Sequence, residues 1–348
     1  MSKEKKTHIE RTAKEPRDPS LHALRIAAVT EVSPSIRLFR LALPPNDGIT
    51  FRPGQWVDLY PPPSTNILKP GGFTITSSPS LAQPQPSSSS SEPASKAREE
   101  SGPSHPTTSS PHIELAIQAS PSNPPAAYLF QSPPSRLLDT PVQVRIGGSF
   151  VFPPPSSSPS SPASLSPLRK VVFVASGMGI NPLMSMLSWI GEQQQQQQKQ
   201  QRQLDGTRQA HGGGGSGGER LELEEVRMLY GVRDPGEGRE QQILFLDRVV
   251  DVFKTSGVRG GVELFLTGER AGDRKKDVIR CGAGVDVPVH RRRITVKDVE
   301  EAVGKGHKDS TAVYICGVPT MTDEFVEALV SPGGFGMEKG RVLFEKWW

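Results

Sequence analysis

The stretch that decides the fold is VVFVASGMGINP, residues 171–182, in which a continuous apolar run leads into a glycine-rich turn. Five apolar residues in a row, 171–175, are typical of a strand buried on both faces of a parallel sheet. The apolar residues after the turn recur at the spacing of one helix face: Leu183, Met186, Leu187 and Ile190. A strand, a glycine turn and a helix in this order predict a βαβ unit.

The glycine turn carries the strongest chemical signal in the chain. Because Gly177 and Gly179 have no side chain, the backbone of such a turn can approach a phosphate, whose charge the first helical amides receive. Pro182 suits a first helical turn, where its missing amide hydrogen costs nothing. The last glycine of the dinucleotide fingerprint is absent. Two interpretations therefore stay open: a pyrophosphate site, or a tight turn without a ligand.

The two halves of the chain have different hydrophobic periods. Segments with period-two alternation precede the turn, at residues 35–43, 55–60, 112–118 and 141–146, and predict half-buried antiparallel strands of a small barrel. The continuous apolar run at 171–175 belongs to the second half, where residues 226–230, 262–266 and 312–315 look like further strands of the same sheet, with helical spacing after the last. The sequence therefore predicts an antiparallel β-barrel followed by an α/β domain with a doubly wound parallel sheet.

Changes in composition predict the domain boundaries. Long stretches rich in Pro, Ser, Gln or Gly cannot bury enough apolar surface to offset their ordering entropy. The predicted units are a polar N-terminal tail at 1–20, a barrel at 21–152 with a disordered insertion at 80–110, a Pro/Ser linker at 153–167, and an α/β domain at 168–348 with a disordered insertion at 191–220.

Composition argues against several classes of protein. Two cysteines cannot form a disulfide framework or a four-thiolate metal cluster, so no metal site is predicted. A net charge of +4 and one short basic run, residues 290–293, do not indicate nucleic-acid binding, since such a run is usually a solvated loop. No apolar stretch is long enough for a membrane span or a secretion signal, so we expect an intracellular protein.

Three further motifs each allow two interpretations. Cys316-Gly317 follows a predicted strand, and its thiol either faces the crevice above the sheet or is simply buried. Trp347 and Trp348 end the chain and either seal a core edge or cover a flat aromatic ligand. In the barrel, GGFTITSSP at 71–79 offers an aromatic ring and several hydroxyls, which suit either a flavin or an ordinary strand end.

Together and in this order, these motifs resemble the ferredoxin–NADP reductase superfamily and, within it, the oxidoreductase NAD-binding domain-containing proteins. The resemblance implies a flavin-binding barrel and a nicotinamide-nucleotide domain, with NAD (NADP possible) and FAD or FMN as cofactors. It implies catalytic roles for Thr74, Cys316 and Trp348, or for Trp347 in place of Trp348. The implied cofactor contacts are Phe73, Thr74, Ile75, Thr76, Gly177, Met178, Gly179, Ile180, Asn181, Pro182, Cys316, Gly317 and Trp348.

The stretch at 71–74 departs from the superfamily pattern Arg-x-Tyr-Ser/Thr at the arginine and at the tyrosine. The corresponding residues are Gly71, Gly72, Phe73 and Thr74, so the arginine that pairs with the flavin phosphate is missing, and Lys69 is a candidate substitute. The implied function is hydride transfer from NAD(P)H to a bound or dissociable flavin and on to an unnamed acceptor. The alternative is a non-catalytic NAD(H)-binding scaffold that has lost its flavin.

The resemblance leaves the nucleotide and the compartment open. Arg233, beyond a predicted strand end, favours a 2′-phosphate and therefore NADP, whereas its neighbour Asp234 disfavours one. Relatives are associated with mitochondria, but the N-terminus lacks the expected presequence, which leaves the cytoplasm as the alternative.

Overall fold

The computed structural model describes residues 7–84, 110–155, 167–207, 222–268, 278–282 and 284–347. These residues form two sheets, one antiparallel and one mostly parallel, with a hydrophobic core under each. Within the described ranges, no helix is both long enough and apolar enough to cross a membrane.

The first sheet is the predicted antiparallel barrel. Its six strands run in the order β4-β3-β6-β1-β2-β5. They are β1 (His22–Ser33), β2 (Ile36–Ala42), β3 (Trp56–Tyr60), β4 (Gly71–Thr74), β5 (His112–Gln118) and β6 (Pro141–Gly147). A bridge between Ile75 and Leu115 joins the two edges and closes the sheet. Three short helices accompany it: α1 (His8–Arg11), α2 (Pro124–Gln131) and α3 (Pro134–Leu137).

The second sheet has seven strands in the order β10-β11-β9-β8-β7-β12-β13. They are β7 (Lys170–Ser176), β8 (Glu225–Arg233), β9 (Gly260–Thr267), β10 (Val278–Arg280), β11 (Asp286–His290), β12 (Thr311–Gly317) and β13 (Val342–Lys346). Only the β10–β11 pair is antiparallel. The chain order reverses between β7 and β12, and ligands of such sheets bind at the carboxyl ends of the strands at this switch point.

Helices cover both faces of this sheet, as a doubly wound fold requires. Helices α4 (Ile180–Thr207) and α5 (Leu246–Thr255) contribute to the core on one face. Helices α6 (Val296–Val303) and α7 (Pro319–Val330) contribute to the core on the other. Strand β7 is buried on both faces, because Val171 and Phe173 belong to the first core and Val172 and Val174 to the second. The continuous apolar run at 171–175 therefore reflects a strand buried on both faces, as the sequence predicts.

The two predicted insertions and the predicted polar N-terminal tail are ordered in part. Helix α4 runs through the glutamine tract to Thr207, because glutamine is a good helix former and each added residue extends a helix that is already nucleated. Pro79–Ala82 forms a helical turn that buries Ala82. The N-terminal stretch from Thr7 packs on the barrel through an ionic cluster described below. The rest of the predicted insertions, and most of the linker, lie outside the described residues.

Candidate active site

Two cavities open on either side of the glycine turn that follows β7. The larger, the interdomain cavity, has a volume of about 750 Å³ and lies between β4 of the barrel and β13 of the second sheet. The smaller, the sheet-end cavity, has a volume of about 370 Å³ and lies beyond the ends of β7 and β8. Met178 lines the first cavity and Gly177 lines the second. The turn therefore separates two adjoining sites at the switch point.

The interdomain cavity has an aromatic and a polar wall. Phe73 and Thr74 line it from the barrel, and Trp347 lines it from the strand end on the other side. Arg11 and Glu15 belong to the N-terminal stretch and complete the rim. A volume of about 750 Å³ is within the usual range for a small-molecule site.

The two glycines of the turn have different roles. Gly177 has φ +54°, and no atom lies within 4 Å of where a Cβ would be, so its backbone faces open space in the sheet-end cavity. A Cβ on Gly179 would lie 2.0 Å from the carbonyl oxygen of Cys316. Gly179 is therefore required for close packing of the turn on β12, and Gly177 is the glycine whose backbone a ligand can reach.

The residues after the turn join the two domains. Ile180, Asn181 and Pro182 are buried and line neither cavity. Asn181 Nδ2 donates a hydrogen bond of 3.0 Å to the carbonyl oxygen of Ala116 in β5. That the main chain of these three residues contacts a cofactor stays a prediction, whereas the Asn181 side chain holds the first turn of α4 against the barrel.

The hydroxyl-rich stretch after β4 also lies at the domain interface. Ile75 and Thr76 are fully buried, and Thr76 Oγ1 donates to the Glu114 carbonyl at 3.1 Å. Ser185 Oγ of α4 donates to the carbonyl of Ser77 at 2.7 Å. Of the four residues predicted here as flavin contacts, only Phe73 and Thr74 line the cavity, and Ile75 and Thr76 do not.

Cys316 does not face the crevice. Its side chain is fully buried in the core, and burial, followed by the charge of Glu345, raises the pKa of the thiol well above its usual value. The next residue, Gly317, is also buried. A Cβ there would lie 2.6 Å from Met321 Cε, so the backbone packs closely at this point. Cys316 therefore contributes an apolar support rather than a reactive thiolate.

Glu345 is a site residue that the sequence analysis missed. It pairs with Cys316 in the register of β12 and β13 and lines the interdomain cavity. Its Oε2 is buried without a hydrogen-bond partner among the described residues. Burial, reinforced by the nearby Glu15, raises the pKa of Glu345 to about 8, so the carboxyl carries a proton at neutral pH. The available signal was its place two residues before Trp347.

We expect Glu345→Gln to flatten the pH dependence of stability. The pKa of Glu345 rises from its ordinary 4.5 to about 8 on folding, so the native state holds a proton that the unfolded chain releases. The contribution of Glu345 to stability is therefore full below about pH 4.5 and is lost as the pH rises towards about 8. Because glutamine does not titrate, the variant should gain roughly 1–2 kcal/mol relative to wild type between about pH 5 and pH 8, with partial exposure of the residue limiting the effect.

Urea unfolding at about pH 5 and about pH 8 measures this change in the free energy of unfolding. Glu327→Gln, on the exposed face of α7, is the matched control and should leave the pH dependence as in wild type. An equal response in the two variants would contradict a buried proton at Glu345.

Trp347 is the terminal aromatic that the structure describes. It lines the interdomain cavity, packs against the core of the second sheet, and its amide donates to the Gly317 carbonyl at 2.8 Å. Trp348, predicted as a catalytic and cofactor-covering residue, lies outside the described residues. Trp347 therefore seals a core edge and forms a cavity wall, and that it covers a flat aromatic ligand stays a prediction.

Comparisons with solved structures identify the fold. A ferredoxin NADP+ reductase from Neisseria gonorrhoeae with bound FAD and NADP matches with a TM-score of 0.51 at 14% identity, over 95% of this chain and 100% of that one. A flavohemoglobin from Malassezia yamatoensis with bound FAD and heme matches with a TM-score of 0.57 at 14% identity, over 98% of this chain and 64% of that one. The chain has the ferredoxin reductase fold.

Sequence relatives agree with this identification. Oxidoreductase NAD-binding domain-containing protein 1 of Bos taurus is 28% identical over 347 residues, which is all of this chain and 87% of the relative. The Homo sapiens protein of the same name is also 28% identical, over 86% of its length. No family model matches the chain. These full-length homologues confirm the resemblance predicted from the motifs.

Proposed function

We propose that the chain is an NAD(P)H-dependent flavin oxidoreductase that passes electrons to a further acceptor. The observation that carries the proposal is the pair of adjoining cavities, with an open glycine turn facing one and an aromatic-walled site in the other. The homologues named for an NAD-binding domain, and the fold neighbours with bound FAD and NADP, support the same class of activity.

The walls of the interdomain cavity fit a flavin. Phe73 and Trp347 offer aromatic surface, and Thr74 offers a hydroxyl on the same strand as Phe73. Glu345 Oε2 has no partner within the described part of the chain, so a ligand can supply one. When bound, a flavin accepts hydride from a reduced nicotinamide and releases the electrons one or two at a time.

The protein's own contribution is position and exclusion of water. The hydrogen bonds from Asn181 and Ser185 to the barrel hold the two cavities in one arrangement. Trp347 would cover a flavin in this cavity from the second domain and shield it from water. Glu345 keeps a proton in the cavity wall at neutral pH. Fixed geometry of this kind supplies much of the barrier lowering in two-substrate reactions.

The sheet-end cavity suits the adenosine half of a nicotinamide dinucleotide. Gly177 offers its backbone there, and Arg233 and Arg293 supply positive charge on the same walls. The side chain of Asp234, expected to disfavour a 2′-phosphate, is 1% exposed, and its Oδ2 lies 3.4 Å from Arg291 Nη1 rather than facing the cavity. We therefore propose that the site accepts NADPH as well as NADH.

The direct test measures nicotinamide oxidation with the purified protein, with and without added FAD or FMN and with ferricyanide as acceptor. We expect oxidation of NADH and NADPH only when flavin is bound or added. A protein that binds NADH but never oxidises it under either condition would instead be the non-catalytic NAD(H)-binding scaffold.

A further inference from the structure

The cation missing from β4 cannot be replaced at its own position. A Cβ on Gly71 would lie 2.7 Å from Phe73 Cε2 and 2.9 Å from Pro125 Cβ, so any side chain there collides with the ring that lines the cavity. Lys69, the candidate substitute, is exposed and does not line the cavity. The cation for a flavin phosphate must therefore come from elsewhere in the chain.

The N-terminal stretch brings basic residues to this strand. The His8 ring fills the space beside the adjacent glycine, because a Cβ on Gly72 would lie 2.1 Å from His8 Cε1. His8 Nε2 lies 3.0 Å from Asp58 Oδ1, and Arg17 Nε donates to Asp58 Oδ2 at 3.0 Å. His8 thus holds the start of α1 against β4, and Arg17 ties the chain beyond the helix to Asp58 of β3.

Arg11 is the cation of this stretch that both lines the cavity and remains available to a ligand. It follows His8 by three residues, which puts both side chains on one side of the helix, and both line the interdomain cavity. The other basic groups of the cavity are engaged, His8 with Asp58 and Lys346 with Asp323. Within the described ranges the Arg11 side chain has no ion pair or hydrogen bond, and partial burial lowers its pKa.

We infer that Arg11 binds the phosphate of the flavin in the interdomain cavity and takes the place of the arginine that β4 lacks. This inference rests on the proposed function. A guanidinium matches a phosphate with paired, charge-assisted hydrogen bonds. Because Arg11 precedes the barrel in the chain, the N-terminal stretch is part of the flavin site.

The test distinguishes the contribution of the flavin phosphate to binding from that of the flavin ring. Riboflavin, FMN and FAD are titrated into wild type, Arg11→Gln and Arg11→Lys, with binding measured by quenching of flavin fluorescence. We expect Arg11→Gln to weaken FMN and FAD roughly tenfold or more and to leave riboflavin unchanged, since only the charge-assisted contact is lost. Arg11→Lys should recover part of the loss.

Lys14→Gln is the matched control, because Lys14 is exposed on the same stretch and does not line the cavity. It should leave the affinity for all three flavins as in wild type. Equal weakening of riboflavin and FMN by Arg11→Gln, or no weakening of either, would overturn the role of Arg11. If wild type binds no flavin at all, the proposed function fails and the inference fails with it.

Discussion

Gly177→Val is expected to lower the affinity for NADH by roughly 100-fold, which corresponds to about 2.7 kcal/mol. Gly177 lines the sheet-end cavity with φ +54° and open space around its Cβ position. A valine side chain would enter that space, where we propose that the pyrophosphate approaches the backbone, and would also strain a left-handed residue. We therefore expect the steric block to cause the loss of NADH affinity and the backbone strain to lower the free energy of unfolding.

Gly238→Val separates these two effects. Gly238 has φ +68°, nothing lies within 4 Å of its Cβ position, and it does not line the sheet-end cavity. Both variants should lose roughly 1–3 kcal/mol of stability from backbone strain in urea unfolding. Only Gly177→Val should lose NADH binding in titration calorimetry. Unchanged affinity in Gly177→Val, or an equal loss in both variants, would contradict the pyrophosphate position.

The sequence alone predicts that a turn with two glycines follows β7 but cannot assign them different roles. The roles differ because the carbonyl oxygen of Cys316 lies 2.0 Å from where a Cβ on Gly179 would be. Cys316 is distant from Gly179 in the chain, so no local pattern reveals this contact. Local periodicity predicts β7 and α4 well, since each depends on neighbouring residues. Contacts made by distant residues leave no local pattern.

The same limit explains the missed parts of the site. The N-terminal stretch has the composition of a polar tail, and only the folded barrel shows that Asp58 pairs with His8, Arg17 and Arg145. In the sequence, Glu345 is one acidic residue in a short terminal segment. Its burial beside Cys316 follows only from the pairing of β12 with β13. Hydroxyls at 76–78 suggested a ligand, whereas packing of α4 on the barrel places them at the interface.

Asp58→Asn is expected to destabilise the protein by roughly 2–4 kcal/mol at neutral pH, because removing one partner of a buried ionic cluster leaves the others without compensation. Asp58 is fully buried, and Arg145 Nη2 lies 2.8 Å from its Oδ2. Although burial opposes it, hydrogen bonds from His8, Arg145 and Arg17 lower the pKa of Asp58 to about 2. The stabilisation is therefore present above the ordinary pKa of 3.8 and is lost as the pH falls towards about 2.

Urea unfolding of wild type and Asp58→Asn should thus show a large difference at neutral pH that shrinks in acid. Asp47→Asn, an exposed residue in the β2–β3 connection, should match wild type throughout. Because Asp58 holds both His8 and Arg17, its loss also frees the segment that carries Arg11 to the cavity. Asp58→Asn should therefore weaken FMN more than riboflavin, and a variant that loses stability but keeps full FMN affinity would show that the ionic cluster supports the barrel alone.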